Sequence, residues 1–171
     1  MKNNYEAALA HVLKSEGLWS DNPADPGGAT MKGITLAVYR EWKRNPHITK
    51  DELRVIPDED VYNLYKQNYW DKIHGDDLPA GVDYAVFDSA VNMGVGRASK
   101  LLQEAVGVPA DGVIGSGTLQ AIQKANTRSI LENFAAEKTA FYKSLSTFDT
   151  FGKGWLNRVA EVKTLSESML G

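Results

Sequence analysis

The stretch Ser15–Thr35 holds the residues of this chain whose types and spacing could do chemistry. Glu16 is followed by Asp21 and Asp25, then by the hydroxyls of Thr30 and Thr35, with Gly27-Gly28 between them. A carboxyl group that keeps its proton can donate it to a leaving oxygen. A second carboxylate, or a group that holds a water, can meet the positive charge that develops, and cleavage of a glycosidic bond needs both parts. The same residues can instead form an Asx- and Gly-rich turn that merely connects two helices.

What would position Glu16 is a helix. Tyr5, Leu9 and Val12 recur at helical spacing in Asn4–Glu16, and Glu16 falls on their face, with Gly17 next as a helix stop. A carboxylate carried inward by an apolar stripe is partly desolvated, which raises its pKa and suits a general acid. The other outcome is a frayed last turn with Glu16 in solvent. The glycines that follow permit positive φ and close approach of another chain segment, so the loop can fold back over the helix end.

Beyond this loop the pattern is helical. Thr35 caps a helix through Leu36, Val38, Tyr39 and Trp42, with Asn45-Pro46 as its stop. Thr49 and Glu52 have capping-box spacing. Asp58–Trp70 places Val61, Leu64, Tyr65 and Tyr69 on one face, and Gly81–Asn92, with few polar positions, reads as the buried central helix. Arg97–Val106 ends at Gly107, an Asp111-Gly112 turn follows, and helices are predicted at 117–125, 128–146 and 154–168. The expected fold class is all-α, with at most one small β-hairpin in the Glu16–Thr35 region. Two regions, 1–92 and 93–171, are expected to pack as one compact body because only a few residues join them.

Composition narrows the function. The 171 residues are 43% hydrophobic and 24% charged, as in an ordinary globular chain. The absence of cysteine excludes disulfides and thiolate metal sites. A net charge of −3 without any Lys/Arg block provides no field for nucleic acid. His11, His47 and His74 are far apart, none has a second His at metal-ligand spacing, and no metal or organic cofactor is implied. No apolar run is long enough to cross a bilayer. The N-terminus, Met1-Lys2-Asn3-Asn4-Tyr5, lacks the layout of a secretory signal. Synthesis in the cytoplasm, as a monomer, is the expectation, and if the protein acts outside the cytoplasm something else must let it out.

The motifs have a known counterpart. Glu16-Gly17-Leu18-Trp19, then Pro23-Ala24-Asp25-Pro26-Gly27-Gly28-Ala29-Thr30, then Gly33-Ile34-Thr35 resemble the N-terminal signature of the muramidases of glycoside hydrolase family 108, the phage endolysin and prophage lysozyme group. The resemblance continues through Phe87-Asp88-Ser89-Ala90-Val91-Asn92-Met93-Gly94, Leu102-Gln103 and Asp111-Gly112-Val113-Ile114-Gly115 to Gly154-Trp155-Leu156-Asn157-Arg158-Val159. The second half is similar to the helical peptidoglycan-binding-type segment that follows the family's catalytic region. Two positions depart from the family pattern: Leu18 replaces a Gly, and Trp19 replaces a Tyr. A larger residue at 18 would narrow the cleft or pack under it.

The resemblance implies a lysozyme that hydrolyses the β-1,4 bond between N-acetylmuramic acid and N-acetylglucosamine, with Glu16 as general acid and the peptidoglycan glycan strand as partner. The spacing of Glu16, Asp25 and Gly33-Ile34 also looks like the helix–hairpin active site of smaller phage lysozymes, which makes Asp25 the candidate second carboxylate. Asp25 as an Asx turn before Gly27-Gly28 is the competing reading. Thr30 and Thr35 are rivals for holding a water, and Thr35 also serves as a plain helix cap. Trp19 is the stacking candidate for a sugar ring. Asn92 either faces the cleft and binds an N-acetyl group or caps its helix. Arg97 and Arg158 either bind muropeptide carboxylates or form solvated salt bridges. A lytic transglycosylase using the same Glu16, and a non-catalytic wall-binding module, are the alternative functions.

Overall fold

Tyr5, Leu9 and Val12 are buried along one face of α1 (Asn4–Glu16), as their spacing requires. Gly17 follows at φ +77°, its N–H donating to the Leu13 carbonyl, so the helix ends where the left-handed conformation suits glycine. The computed structural model describes residues 4–23 and 28–170. The backbone falls into two compact units, one of Leu9–Asn68 and one of Met1–Ala8 with Tyr69–Gly171.

In the smaller unit, β1 (Trp19–Ser20), β2 (Thr30–Met31) and β3 (Ile34–Thr35) form an antiparallel sheet in the order β1-β2-β3. The expected hairpin thus carries a third strand. Two-residue strands are too short to show a period in sequence. Trp19 pairs with Met31, Ser20 with Thr30, Thr30 with Thr35, and Met31 with Ile34. Lys32 and Gly33 make the tight turn between β2 and β3 at φ 52° and 80°. Positive φ at both central residues is what a type I′ hairpin turn demands, and its twist matches the strands it joins.

Thr35 caps α2 (Leu36–Lys43), its hydroxyl accepting from the Val38 N–H at 3.1 Å. The helix stops at Arg44, itself left-handed at φ 56°, before Asn45-Pro46 is reached. Asn45 then turns the chain by accepting from the His47 N–H. The Thr49–Glu52 capping box closes on both sides at the start of α3 (Lys50–Arg54). The helix expected over Asp58–Trp70 is α4 (Asp58–Tyr65) followed by a π-helical turn over Lys66–Trp70. Such wider turns change which side chains face inward.

The larger unit is built on α5 (Val82–Met93), buried over 82–90. Tyr5, Trp70 and Phe87 interlock around its start with ring centroids 5.2–5.7 Å apart. α6 (Val95–Val106) turns in Ala98, Leu101, Leu102 and Ala105, and Gly107 ends it in the left-handed region. Buried Gln103 ties down the loop that follows. Its amide donates to Asp111 Oδ1, the Val113 carbonyl and Thr118, and its oxygen accepts from the Gly112 N–H. The Asp111-Gly112 turn is therefore structural. α7 (Ser116–Lys124), α8 (Thr127–Lys143) and α9 (Phe148–Ser168) complete the unit, and α5 packs against α6, α8 and α9. The fold is mainly α with one small sheet.

Candidate active site

The end of α1 and the β2–β3 turn meet at Glu16. Glu16 is half-buried, in the last position of the helix. A Cβ added at Gly33 would stand 3.0 Å from Glu16 Oε2 and 2.6 Å from the Tyr65 hydroxyl. Glycine here meets two demands at once, positive φ and a backbone lying against a carboxylate. The turn is anchored to α4 as well. The Tyr65 hydroxyl donates to the Lys32 carbonyl at 2.6 Å, and Lys32 Nζ lies 2.8 Å from Asp58 Oδ1. That ammonium holds the Asp58 carboxyl below the usual carboxylate range, through its hydrogen bond first and its charge second. The backbone beside Glu16 is thus tied to α4 through Lys32.

Other residues singled out in the sequence lie on the same small sheet. Trp19 opens β1, half-buried, with the Arg54 guanidinium 5.3 Å from its ring centroid. That is a cation–π distance. Leu18, the larger residue at a family Gly, is 68% exposed and so packs under nothing. Thr30 is half-buried in β2 and sits across from Thr35. Thr35 has its hydroxyl oxygen engaged as the α2 cap. Asp21 is exposed with Lys50 Nζ at 3.3 Å. Asp25 lies outside the described residues, together with Ala24, Pro26 and Gly27.

Asn92 belongs to the larger unit. Its amide donates to Asp88 Oδ2 at 3.2 Å. Asp88 is fully buried and also ion-paired with Arg158, while buried Lys138 places Nζ 3.7 Å from Asp88 Oδ2. Desolvation lowers the Lys138 pKa from its ordinary value, against the pull of Asp88. Arg158 is therefore part of an internal ion cluster, and Arg97 lies over the Phe141 ring at 4.7 Å. Among the described residues, no group of His, Asp or Glu is arranged to hold a metal ion, and no helix is long and apolar enough to cross a membrane.

Tyr65, Asp88 and Lys138 were not foreseen as site or network residues. Each carries a signal of the kind that drew attention to Glu16. Tyr65 puts a hydroxyl on an apolar helix face, and a buried Tyr needs a partner for it. Asp88 and Lys138 interrupt apolar stripes on α5 and α8, where an ionised group must be paired.

Residues 9–94 match the family described as Glycosyl hydrolase 108. The solved structure of Brucella abortus SagA is 43% identical in sequence, over 99% of this chain and 97% of that one, with a TM-score of 0.89. This chain belongs to glycosyl hydrolase family 108. Residues 97–160 of this family 108 chain match a second family, described as Predicted Peptidoglycan domain. The two matched segments meet near Gly94, between α5 and α6. No curated protein matches the chain. A lysozyme-like glycoside hydrolase acting on peptidoglycan is the function that the family 108 and peptidoglycan-domain matches support.

Proposed function

We propose that the protein is an N-acetylmuramidase of the endolysin type, cutting the β-1,4 bond between N-acetylmuramic acid and N-acetylglucosamine. Residues 1–92 form the catalytic region and 93–171 the wall-binding region. Glu16 is the general acid and gives its proton to the bridging oxygen as the glycosidic bond breaks. Asp25, or a water held near Thr30, meets the oxocarbenium-like centre, and water completes the hydrolysis. Trp19 offers an aromatic surface to a sugar ring.

The observation that carries this reading is the half-buried Glu16 carboxylate lying against Gly33, with the turn held by Tyr65. General acids work from such fixed positions, because the proton must already lie within reach of the leaving oxygen. Reducing-end release from purified murein, by wild type and by Glu16→Gln, is the decisive assay. The substitution should leave the fold intact and abolish release. Near-wild-type release by Glu16→Gln would remove Glu16 from the acid role. Product masses read the chemistry directly, since hydrolysis adds one water and a transglycosylase leaves a 1,6-anhydro end.

A further inference from the structure

We propose that Arg54 is a specificity-determining residue, which binds the carboxylates that a muramoyl glycan carries on its lactyl groups or its peptide stems and so favours peptidoglycan over neutral N-acetylglucosamine polymers. The Arg54 guanidinium lies over the Trp19 ring, 5.3 Å from its centroid, and the residue is exposed at the end of α3. Contact with a ring face uses none of the five in-plane N–H donors of a guanidinium. Those donors keep the fork that matches a carboxylate. The inference rests on the reading that Glu16 cuts peptidoglycan, and it names the residue that tells this substrate from an uncharged glycan.

Arg54, Trp19 and Glu16 belong to the same compact unit, Leu9–Asn68. Trp19 in β1 pairs with Met31 in β2, and Met31 pairs with Ile34 in β3. Gly33, next to Ile34, is the residue whose backbone lies against Glu16. Neighbouring strands are about 4.8 Å apart, so roughly 10 Å of sheet separates the Trp19–Arg54 pair from that turn. An extended peptide stem reaches about 3.5 Å per residue, so a few residues cover the distance. The indole is the strongest aromatic partner for a cation. Trp19 stands where the family signature has Tyr, so the contact belongs to this chain rather than to the signature.

Among the described residues, no carboxylate is ion-paired with Arg54. Asp58 is paired with Lys32, Asp21 with Lys50, and Glu52 accepts from the Thr49 N–H. Asp51, the remaining acid of α3, is exposed and makes no ion pair with it. Arg158, an expected partner for muropeptide carboxylates, is committed to buried Asp88, and Arg97 lies in the larger unit. Arg54 is thus a cation beside the catalytic sheet with its donors available. A cation in the last turn of α3 also suits the helix dipole. Lysine fills that role equally, and no charge on the substrate alters it.

The test compares wild type, Arg54→Gln and Arg54→Lys on three soluble murein glycans. One keeps its peptide stems, one has been freed of them so that the lactyl carboxylates are bare, and one keeps its stems with every carboxyl blocked as a neutral methylamide. Arg54→Gln should raise KM on the intact strands about fivefold with kcat unchanged, and Arg54→Lys should recover part of the loss. On the blocked strands wild type and Arg54→Gln should be equal, which a merely structural role for Arg54 would not produce. A deficit that persists on the stem-free strands assigns the lactyl carboxylate, and one that vanishes there assigns the stem. An unchanged KM on intact strands, or the same deficit on intact and blocked strands, would overturn the proposal. Dissociation constants in the Glu16→Gln background, from tryptophan fluorescence, read the same contrast without turnover. That contrast in binding without reducing-end release by wild type would sink the muramidase reading alone, and release without the contrast would sink this one alone.

Discussion

The Glu16 carboxylate lies 3.0 Å from the point that a Cβ on Gly33 would occupy. That point is also 2.6 Å from the Tyr65 hydroxyl, so nothing larger than glycine fits without moving one of the two side chains. Gly33→Ala should therefore destabilise the protein by about 1–3 kcal/mol, from left-handed strain at φ +80° together with the clash. It should also lower murein hydrolysis well beyond what the lost stability explains. Urea denaturation and reducing-end release, measured on the same preparation, check both. An alanine variant with wild-type stability and rate would contradict the close approach.

Tyr65→Phe keeps the ring and removes the hydrogen bond to the Lys32 carbonyl. The expected loss of stability is about 0.5–1.5 kcal/mol. Because that bond holds the turn against Glu16, the catalytic rate should drop while binding of murein is little changed. A rate equal to wild type would mean that the turn is positioned without Tyr65.

Asp88 should be the most sensitive position of the larger unit. Its carboxylate is buried with two cations around it, and Asp88→Ala would leave both without their counter-charge. The expected cost is about 3–5 kcal/mol. Lys138→Met should cost far less, since Asp88 keeps Arg158 and Asn92 and a desolvated ammonium is removed. Denaturation midpoints of the two variants give the comparison. Equal losses would argue that Lys138 is needed for packing and not only tolerated.

Asp83 sets a pH dependence. Burial raises its pKa above the usual carboxylate value, against hydrogen bonds from the Asn4 side chain and the Tyr84 and Gly81 amides. A carboxyl whose folded pKa is raised favours the folded state while protonated. Its ionised form costs stability, so this contribution falls as pH rises from about 4 through the raised value. Asp83→Asn, which keeps an acceptor oxygen for the backbone amides, should flatten that part of the Tm-against-pH curve. An unchanged curve would place the pH dependence elsewhere.

Helix positions were legible because each depends on residues close in sequence. The Tyr5, Leu9 and Val12 stripe, the Thr49–Glu52 capping box and the Gly107 stop all involve neighbours within one or two turns, and all appear in the structure. Glu16 stood out for the same reason, as a charge on an apolar face. Very short features were not legible. The third strand pairs only two residues with β2. The π-helical turn over Lys66–Trp70 leaves no mark on the sequence period.

The sequence by itself determined that the protein is mainly helical, where most of its helices lie, and which glutamate its first helix carries to its end, because hydrophobic spacing and capping act over a few residues. Only the tertiary structure decided that Gly33 stands against that glutamate with the Tyr65 hydroxyl holding the same turn, and that Asp88 gathers Arg158 and Lys138 around one buried carboxylate. Those groups are separated by 17 to 70 positions in the chain. Their meeting depends on how the turn closes and how α5, α8 and α9 pack, which no local pattern encodes.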